Sequence, residues 1–404
     1  MKYVSILVIA SAAICITACA EAHSSNNSKK ALTVAEPEIS VPKDTVIKKD
    51  TPVTEKKIVS RFDEISAILG GINDSGNTLS HLYDSSAWKE NREFMNTSWK
   101  RLENSRLAKL DSWSKAELAG PNKNCNVVFY PFSGPDFLTA NAFFPKAKKI
   151  VMLGLEPIGS LPEISKFNNL EAKDYSDDFK HSLNDIFQRS YFITQYMLRD
   201  FQKQKVNGLL PVLCFFIKKT GHKITDIRYL VKKGNDTIVE NEYNTRASYF
   251  GVKVSCEKDS IRKEVYYFRY DVSNKQFNDT CVFYKFINAN SKDAVTYVKS
   301  ASYLLHANFM TNMKKLILRN SLYVLEDDTG IPYDDIDKEK KYDIKLYGRY
   351  VKPIKDFPYL RMQTSIVKAF EKDSASIPNL PFHLGYHWQS KQDLLILASR
   401  KNLK

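Results

Sequence analysis

The chain has 404 residues and a formal net charge of +14, with 43% hydrophobic and 12% aromatic residues. These fractions exclude a wholly disordered chain and suffice for a substantial core in one large domain or two closely packed ones. The lysines are scattered without an arginine-rich run, so the positive charge predicts a solvated surface and no nucleic-acid partner.

The first residues have the pattern of an export signal. Lys2 precedes an apolar run from Val4 to Ile16, which suits a signal-peptide core and is short for a membrane span. The run ends in ITAC, which resembles a lipobox and implies removal of residues 1–18 and a lipid on the thiol of Cys19. The alternative is an ordinary signal peptide cut near Ala18 or Ala20.

A lipidated Cys19 predicts where the protein resides. Two or more acyl chains hold a polypeptide firmly on a bilayer. We therefore expect a membrane anchor in the bacterial cell envelope, in the outer rather than the inner membrane, with the body in the periplasm or at the cell surface. No other stretch approaches 18 uninterrupted apolar residues, so no second span is expected.

The residues after the signal divide into a tether and a body. Residues 19–57 are polar and contain no aromatic residue, which predicts a disordered tether. Residues 58–404 are predicted to form a single large α/β domain, with a helical lead-in over 58–120.

Helix-like and strand-like segments alternate along the body, which predicts an α/β fold: a mixed sheet with flanking helices and a β-hairpin insertion near 247–290. Helices are expected at 58–72, 86–118 (ended by Gly120-Pro121-Asn122), from a cap at Ser176, at 293–325 and at 359–370. Strands are expected at 126–132, 149–155, 225–231, 251–256, 264–272, 281–286, 342–350 and 394–399. The first two strands, joined by a short helix over 137–144, are expected to be parallel.

The body contains four cysteines: Cys125, Cys214, Cys256 and Cys281. An exported protein meets oxidising conditions, so two disulfides are possible, with Cys256 and Cys281 as the favoured pair. The alternative is that all four are small buried hydrophobic residues.

The most distinctive segment is YPFSGPDF, a turn after a buried strand. In open α/β sheets ligands bind at such strand ends, so Ser133, Asp136 and the backbone amides of the following helix could converge on a ligand. Glu156 ends the next strand, about where nucleotide-binding folds place an acid. The pair superficially resembles half of a Rossmann-like methyltransferase, but only Gly134 stands in the turn and no cofactor is predicted. The alternative is that Asp136 serves the helix terminus alone.

A second polar cluster follows an apolar run near residue 325. Asp327 and Asp328 could bind a hard cation or supply acid and base groups, but the spacing matches no EF-hand loop, and the alternative is a solvated turn. His306 falls on an apolar helical face, typical of a satisfied core histidine. His383 and His387 are four residues apart with a glycine between them, which argues against a helical metal pair, so no metal site is predicted.

Three runs, YPFSGPDFLTANAFFPKAKKIVMLGLEPIG, LEDDTGIPY and LPFHLGY, resemble a family of uncharacterised exported bacterial proteins and lipoproteins. The resemblance extends from about Cys125 to the C-terminus and implies no reaction. It does imply that these segments belong to one domain and contribute to one shared site, with the candidate residues Ser133, Asp136, Glu156, Asp327 and Asp328.

Three functions remain open. The first is an envelope lipoprotein that binds a ligand or an envelope protein near the ends of the first strands. The second is an exported hydrolase in which Ser133, or a water activated by a nearby carboxylate, works with a histidine such as His306. The third is a structural role in envelope assembly, which predicts a large exposed apolar patch.

Overall fold

The structure is a computed structural model, and the compact unit that contains its described residues runs from Val59 to Lys404. Cys19, the predicted signal peptide and the predicted tether lie outside the described part. The described residues are 60–74, 76–189, 205–234, 237–244, 248–338, 340–353, 360–372, 374–386 and 393–401.

Ten strands form one mixed sheet, in the order β4-β3-β5-β6-β2-β1-β7-β8-β10-β9. The strands are β1 (Val127–Tyr130), β2 (Lys149–Gly154), β3 (Lys223–Lys233), β4 (Thr237–Asn241), β5 (Gly251–Lys258), β6 (Ile261–Arg269), β7 (Ala294–Val298), β8 (Ser321–Glu326), β9 (Tyr342–Gly348) and β10 (Leu394–Arg400). The predicted α/β class, with a mixed sheet and flanking helices, is therefore confirmed.

Helices flank the sheet and lead into it. They are α1 (Arg61–Leu69), α2 (Ser86–Leu102), α3 (Ala108–Glu117), α4 (Ala119–Asn124), α5 (Phe137–Phe143), α6 (Asn169–Arg189), α7 (Leu210–Lys219), α8 (Val282–Asn290), α9 (Thr311–Asn320), α10 (Tyr333–Asp337) and α11 (Thr364–Lys372). A π-helical turn, Glu103–Leu107, joins α2 to α3. Within the described ranges, no helix has the length and apolarity that crossing a bilayer requires.

Five neighbouring strands at the centre of the sheet run parallel: β6, β2, β1, β7 and β8. The expected parallel pairing of β1 with β2 is confirmed, with Val128 opposite Ile150 and Tyr130 opposite Met152. The chain passes from β1 to β2 on one side and later places β7 on the other side of β1. The strand order therefore reverses between β1 and β7, which makes that pair the topological switch point.

Alternate residues of these strands are buried in two separate cores. Val128, Tyr130 and Ile150 pack with α5 and the lead-in helices on one face. Phe129 and Val151 pack with α8 and α9 on the other. Side chains on a strand alternate between faces, so a short run of apolar residues supplies both cores at once.

The helix expected to end near Leu118 does end there, since α3 stops at Glu117 and Leu118 leaves the helical conformation. A new helix, α4, begins directly afterwards, and Pro121 lies in its first turn, where the missing N–H of proline is tolerated.

One predicted helix start is wrong. Ser176 caps nothing; it lies inside α6, buried, and donates to Asn91. The start of α6 is set earlier by Asn168 and Glu171, which accept hydrogen bonds from each other's backbone N–H in a capping box.

Two larger errors concern the C-terminal half. The third strand expected at 281–286 is helix α8, so the predicted hairpin consists of β5 and β6, and both belong to the main sheet. The helix expected over 293–325 contains the central strands β7 and β8 around α9. Both strands are buried and short, and in such runs periodicity alone does not separate strand from helix.

The favoured disulfide is also wrong: Cys125, Cys214, Cys256 and Cys281 are all free thiols. Cys256 belongs to the core that contains α5, whereas Cys281 packs against the core on the opposite face of the sheet. The sheet lies between the two sulfur atoms. The alternative, buried small hydrophobic residues, describes Cys125, Cys214 and Cys256, while Cys281 is half-buried beside the hydroxyl of Tyr270.

Candidate functional site

The three segments that the sequence analysis grouped together meet at one edge of the sheet. The carboxyl ends of β1, β2, β7 and β8 lie at this edge because the strands are parallel and adjacent. Residues that directly follow these strands are held against each other, and we call this region the carboxyl edge. It includes the switch point between β1 and β7.

Asp136 and Lys299 form a buried ion pair across the switch point. Asp136 follows β1 and Lys299 follows β7; their charged groups are 3.0 Å apart and both side chains are 3% exposed. Asp136 also caps α5 by accepting the N–H of Thr139, and it accepts the hydroxyl proton of Tyr130. Asp136 therefore does cap the helix, as the sequence analysis allowed. It also forms an ion pair that the sequence did not predict.

Ser133 and Glu156 lie near each other but do not form a catalytic pair. The Ser133 hydroxyl donates to the carbonyl oxygens of Gly134 and Leu153, so no base accepts its proton. Glu156 is buried and accepts from the hydroxyl of Tyr267. A Cβ on Gly134 would lie 3.6 Å from a carboxylate oxygen of Glu156, which shows how closely the two turns approach.

The turn after β8 is built around two buried acids. Asp327 accepts the N–H groups of Ser300 and Thr329, while burial, with Asp328 as a second cause, raises its pKa to about 6. Glu326 accepts the N–H of Ile331, and burial raises its pKa well above the usual range. The turn is therefore packed into the protein, and the solvated-turn alternative does not describe it.

His306 lies beside this turn and is neutral. Burial is the largest cause of its lowered pKa, and the ring forms a hydrogen bond with the backbone of Asp328, which is itself buried. Its Nε2 has no hydrogen-bond partner in the described part of the chain. His306, with Asn308, Phe309 and Arg361, also lines an open depression of about 510 Å³.

The third segment, 381–386, packs directly on the turn after β8. A Cβ on Gly385 would lie 2.9 Å from Asp327 Oδ2 and 2.9 Å from Ser300 Oγ, and its φ of +61° suits glycine. Nδ1 of His383 contacts the buried carboxylate of Asp393. His387 lies outside the described residues.

Buried polar atoms without a partner concentrate at the carboxyl edge. Of the nine found in the described residues, four lie on residues at the ends of β7 and β8 or in the turn that follows β7: Tyr297 Oη, Ser300 Oγ, His306 Nε2 and Glu326 Oε1. Buried polar groups in folded proteins are usually hydrogen-bonded, so such a concentration needs an explanation.

Sequence reasoning missed Tyr297, Lys299 and Ser300 because it placed a helix there. The signal that identifies β7 is the run AVTYV, whose β-branched and aromatic residues favour a strand. A lysine that directly follows such a buried strand would then have pointed to a carboxylate partner at the same edge.

In the described ranges, no group of three or more His, Cys, Asp or Glu residues could hold a metal ion. No family model, curated protein or solved structure matches this chain.

Proposed function

We propose that this chain is a cell-envelope lipoprotein, anchored through Cys19, whose α/β domain binds a small polar ligand at the carboxyl edge between β1 and β7. The single observation that supports this is the group of unpartnered polar atoms there: Tyr297 Oη, Ser300 Oγ, His306 Nε2 and Glu326 Oε1. The envelope setting depends on the lipobox-like ITAC.

The energetic argument starts from desolvation. A buried donor or acceptor without a partner costs roughly 1–3 kcal/mol. Four such groups together are a large fraction of the stability of a typical domain. Sequences retain such local defects where function requires them, and a bound ligand would supply partners to those of the four groups that face it.

The chemistry of the open groups indicates the ligand class. Two are hydroxyls; burial lowers the pKa of His306 and raises the pKa of Glu326, which favours the neutral form of each group. Neutral donors and acceptors complement hydroxyl and amide groups, so a small uncharged sugar or amide fits better than an ion.

Binding is favoured over catalysis at Ser133 and Asp136. The proton of Ser133 is held by carbonyl oxygens, and the carboxylate of Asp136 is saturated by Tyr130, Thr139 and Lys299. Neither group is available to a substrate in this arrangement.

The test compares Tyr297→Phe with Tyr175→Phe. Both hydroxyls are buried and unpartnered, but Tyr175 lies on α6, away from the carboxyl edge. Wild type and both variants are titrated with the uncharged sugars N-acetylglucosamine and glucose, and binding is followed by thermal shift and calorimetry. We expect at least one probe to bind the wild type and Tyr175→Phe equally, and Tyr297→Phe at least tenfold more weakly.

Neither substitution should lower the melting temperature, because each removes a hydroxyl with no hydrogen bond to lose. Equal affinity of Tyr297→Phe and wild type would overturn the proposed site. Absence of binding by every probe to the wild type would overturn the ligand class.

A further inference from the structure

Ser300 has a backbone conformation that side chains rarely adopt. Its φ is 61° and its ψ is −90°, outside the regions open to ordinary L-residues. The N–H of Ser300 is held by Asp327 Oδ2 at 2.9 Å. Strain of this kind costs on the order of 1–3 kcal/mol and clusters at functional sites.

The position of Ser300 in the fold resembles that of a strained nucleophile. It follows the central parallel strand β7 and precedes the 3₁₀ helix Ala301–His306, which forms a strand–turn–helix. Hydrolases of the α/β class present a nucleophilic serine on such a sharp turn at the carboxyl edge of the sheet. The flanking residues do not form a G-x-S-x-G motif, so the argument depends on geometry and not on sequence.

The proton of the buried Ser300 hydroxyl is not held by a hydrogen bond to any described residue, unlike that of Ser133. Ser300 is 5% exposed, and its Oγ has no hydrogen-bond partner in the described residues. Gly385 packs against this oxygen, and His383 is two residues before Gly385. Two residues span at most about 7 Å, so the Cα of His383 lies within that distance of the Cα of Gly385.

His383 has the features of a general base. Its Nδ1 contacts Asp393, whose other oxygen accepts the N–H of Leu384. This fixes the ring and leaves Nε2 as the nitrogen that can accept a proton. The His383 side chain is 59% exposed and so can be reached from solvent.

From these observations we propose that Ser300 is the nucleophile of an acyl-ester hydrolase site at the carboxyl edge, with His383 as general base and Asp393 as the residue that positions it. This inference rests on the proposed function, because the ester would occupy the same binding site. It names the ligand class more narrowly, as a sugar or other polar compound that carries a carboxylic ester.

The reaction needs only the ester and water. Ser300 Oγ bonds to the ester carbonyl carbon while its proton passes to His383 Nε2, and the alcohol leaves with that proton as the C–O bond breaks. Water then gives a proton to His383 and its oxygen to the acyl carbon. The bond between that carbon and Ser300 Oγ breaks, the acid leaves, and the proton returns from His383 to Ser300. The N–H of Ala301, the first residue after the nucleophile, would be the donor to the carbonyl oxygen by analogy with such turns.

The decisive experiment is covalent labelling of the whole chain with an alkyl fluorophosphonate, in which Ser300 Oγ bonds to phosphorus and fluoride leaves. Mass spectrometry of the digest is expected to locate the adduct on Ser300. Ser300→Ala should abolish the adduct, and His383→Gln should slow labelling by at least 100-fold. Ser66→Ala is the control, since Ser66 is a buried serine on α1 that donates to Phe62.

The positioning role of Asp393 is tested with p-nitrophenyl acetate. Asp393→Asn should lower kcat with little change in KM, because the variant disturbs His383 and not the substrate. Ser300→Ala should melt at the wild-type temperature, since its hydroxyl has no partner to lose.

The experiments can overturn the hydrolase inference and the proposed ligand class independently of each other. If the fluorophosphonate leaves Ser300 unlabelled while Tyr297→Phe still weakens sugar binding, the hydrolase inference is wrong and the binding function stands. If Ser300 is labelled but no sugar probe binds, the ligand class proposed above is wrong and the nucleophile stands.

Discussion

At the scale of single residues, the carboxyl edge contains charges that the fold has withdrawn from water. The Asp136–Lys299 pair is the clearest case, because both side chains are almost fully buried. A buried ion pair adds little to stability compared with apolar residues of similar volume in its place. Removal of one partner alone is strongly destabilising, because the other charge is left buried and uncompensated. The pair therefore specifies how β1 and β7 meet more than it adds to stability.

Asp136→Asn should lower the free energy of unfolding by about 3 kcal/mol. Asn caps a helix as well as Asp does, so the loss would report the missing charge beside Lys299 and not the cap. Urea denaturation provides the measurement. The control is Asp111→Asn, which breaks the exposed Lys115–Asp111 pair of 2.6 Å on α3 and should cost less than about 0.5 kcal/mol. Equal losses in the two variants would contradict a special role for the buried pair.

Asp327 should make stability fall as pH rises. Its pKa is raised by burial from 3.8 to about 6, so the folded protein binds this proton more tightly than the unfolded chain does. The carboxyl group therefore destabilises the fold progressively from about pH 4 to about pH 6. Across that window, the free energy of unfolding of Asp327→Asn should rise relative to that of the wild type.

Glu117 should change the pH dependence of stability in the direction opposite to Asp327. A hydrogen bond from Lys345 lowers the pKa of Glu117, so its stabilising contribution is present at neutral pH and is lost in acid. Chemical denaturation at several pH values should show Glu117→Gln closest to wild type at low pH. If the two variants followed the same trend, the assigned directions would be wrong.

At the scale of elements, the site depends on how segment 381–386 seats on the turn after β8. Gly385→Ala would place a methyl group 2.9 Å from both Asp327 and Ser300 and force a positive φ on alanine. We expect a loss of about 2–3 kcal/mol, of which about 1 kcal/mol is the backbone penalty.

Gly234→Ala is the matched control for that substitution. Gly234 has a φ of +62°, but a Cβ added there would meet no atom of the described residues within 4 Å. Its variant should lose only the backbone penalty, so the difference between the two melting temperatures measures the contact with Asp327 and Ser300. Equal melting temperatures of the two variants would show that segment 381–386 can move away from Asp327 and Ser300 without a loss of stability.

Much of the element order could be read from the sequence, and the reasons for failure are specific. The alternation in β5 and β6 and the buried runs of β1 and β2 were sufficient to predict those strands. The residues of β7 were predicted as part of a helix, because a short apolar run of this length fits a buried strand and a buried helix equally well.

For the same reason, the sequence predicted only some of the residues of the candidate site. The sequence pointed to Asp136, Glu156 and Asp327, which follow strands that bear recognisable motifs. It could not pair Asp136 with Lys299, since that contact follows from the strand order and not from local spacing. The strain at Ser300 is a property of tertiary structure and has no signal in composition.

At the scale of the whole molecule, the lipid anchor is the prediction that sets the cellular context. Wild-type cells grown with radiolabelled palmitate should yield labelled protein in the membrane fraction. Cys19→Ser should lose the label and leave the membrane fraction, because no acyl chain would hold it. Cys281→Ser, which changes a thiol in the body, should keep the label and stay in the membrane fraction. An unlabelled wild type that fractionates like Cys19→Ser would place the protein in a different setting.

The reversal of strand order between β1 and β7 also determines when the Asp136–Lys299 ion pair can form. Asp136 and Lys299 are far apart in the chain, and β2 to β6 are made before β7 exists. A polypeptide that emerges amino end first can complete the first βαβ unit early, but it has no counter-charge for Asp136 until its last third arrives. A fragment that lacks β7 therefore leaves the carboxylate of Asp136 without its ion-pair partner, so the carboxyl edge is completed only after most of the chain has been made.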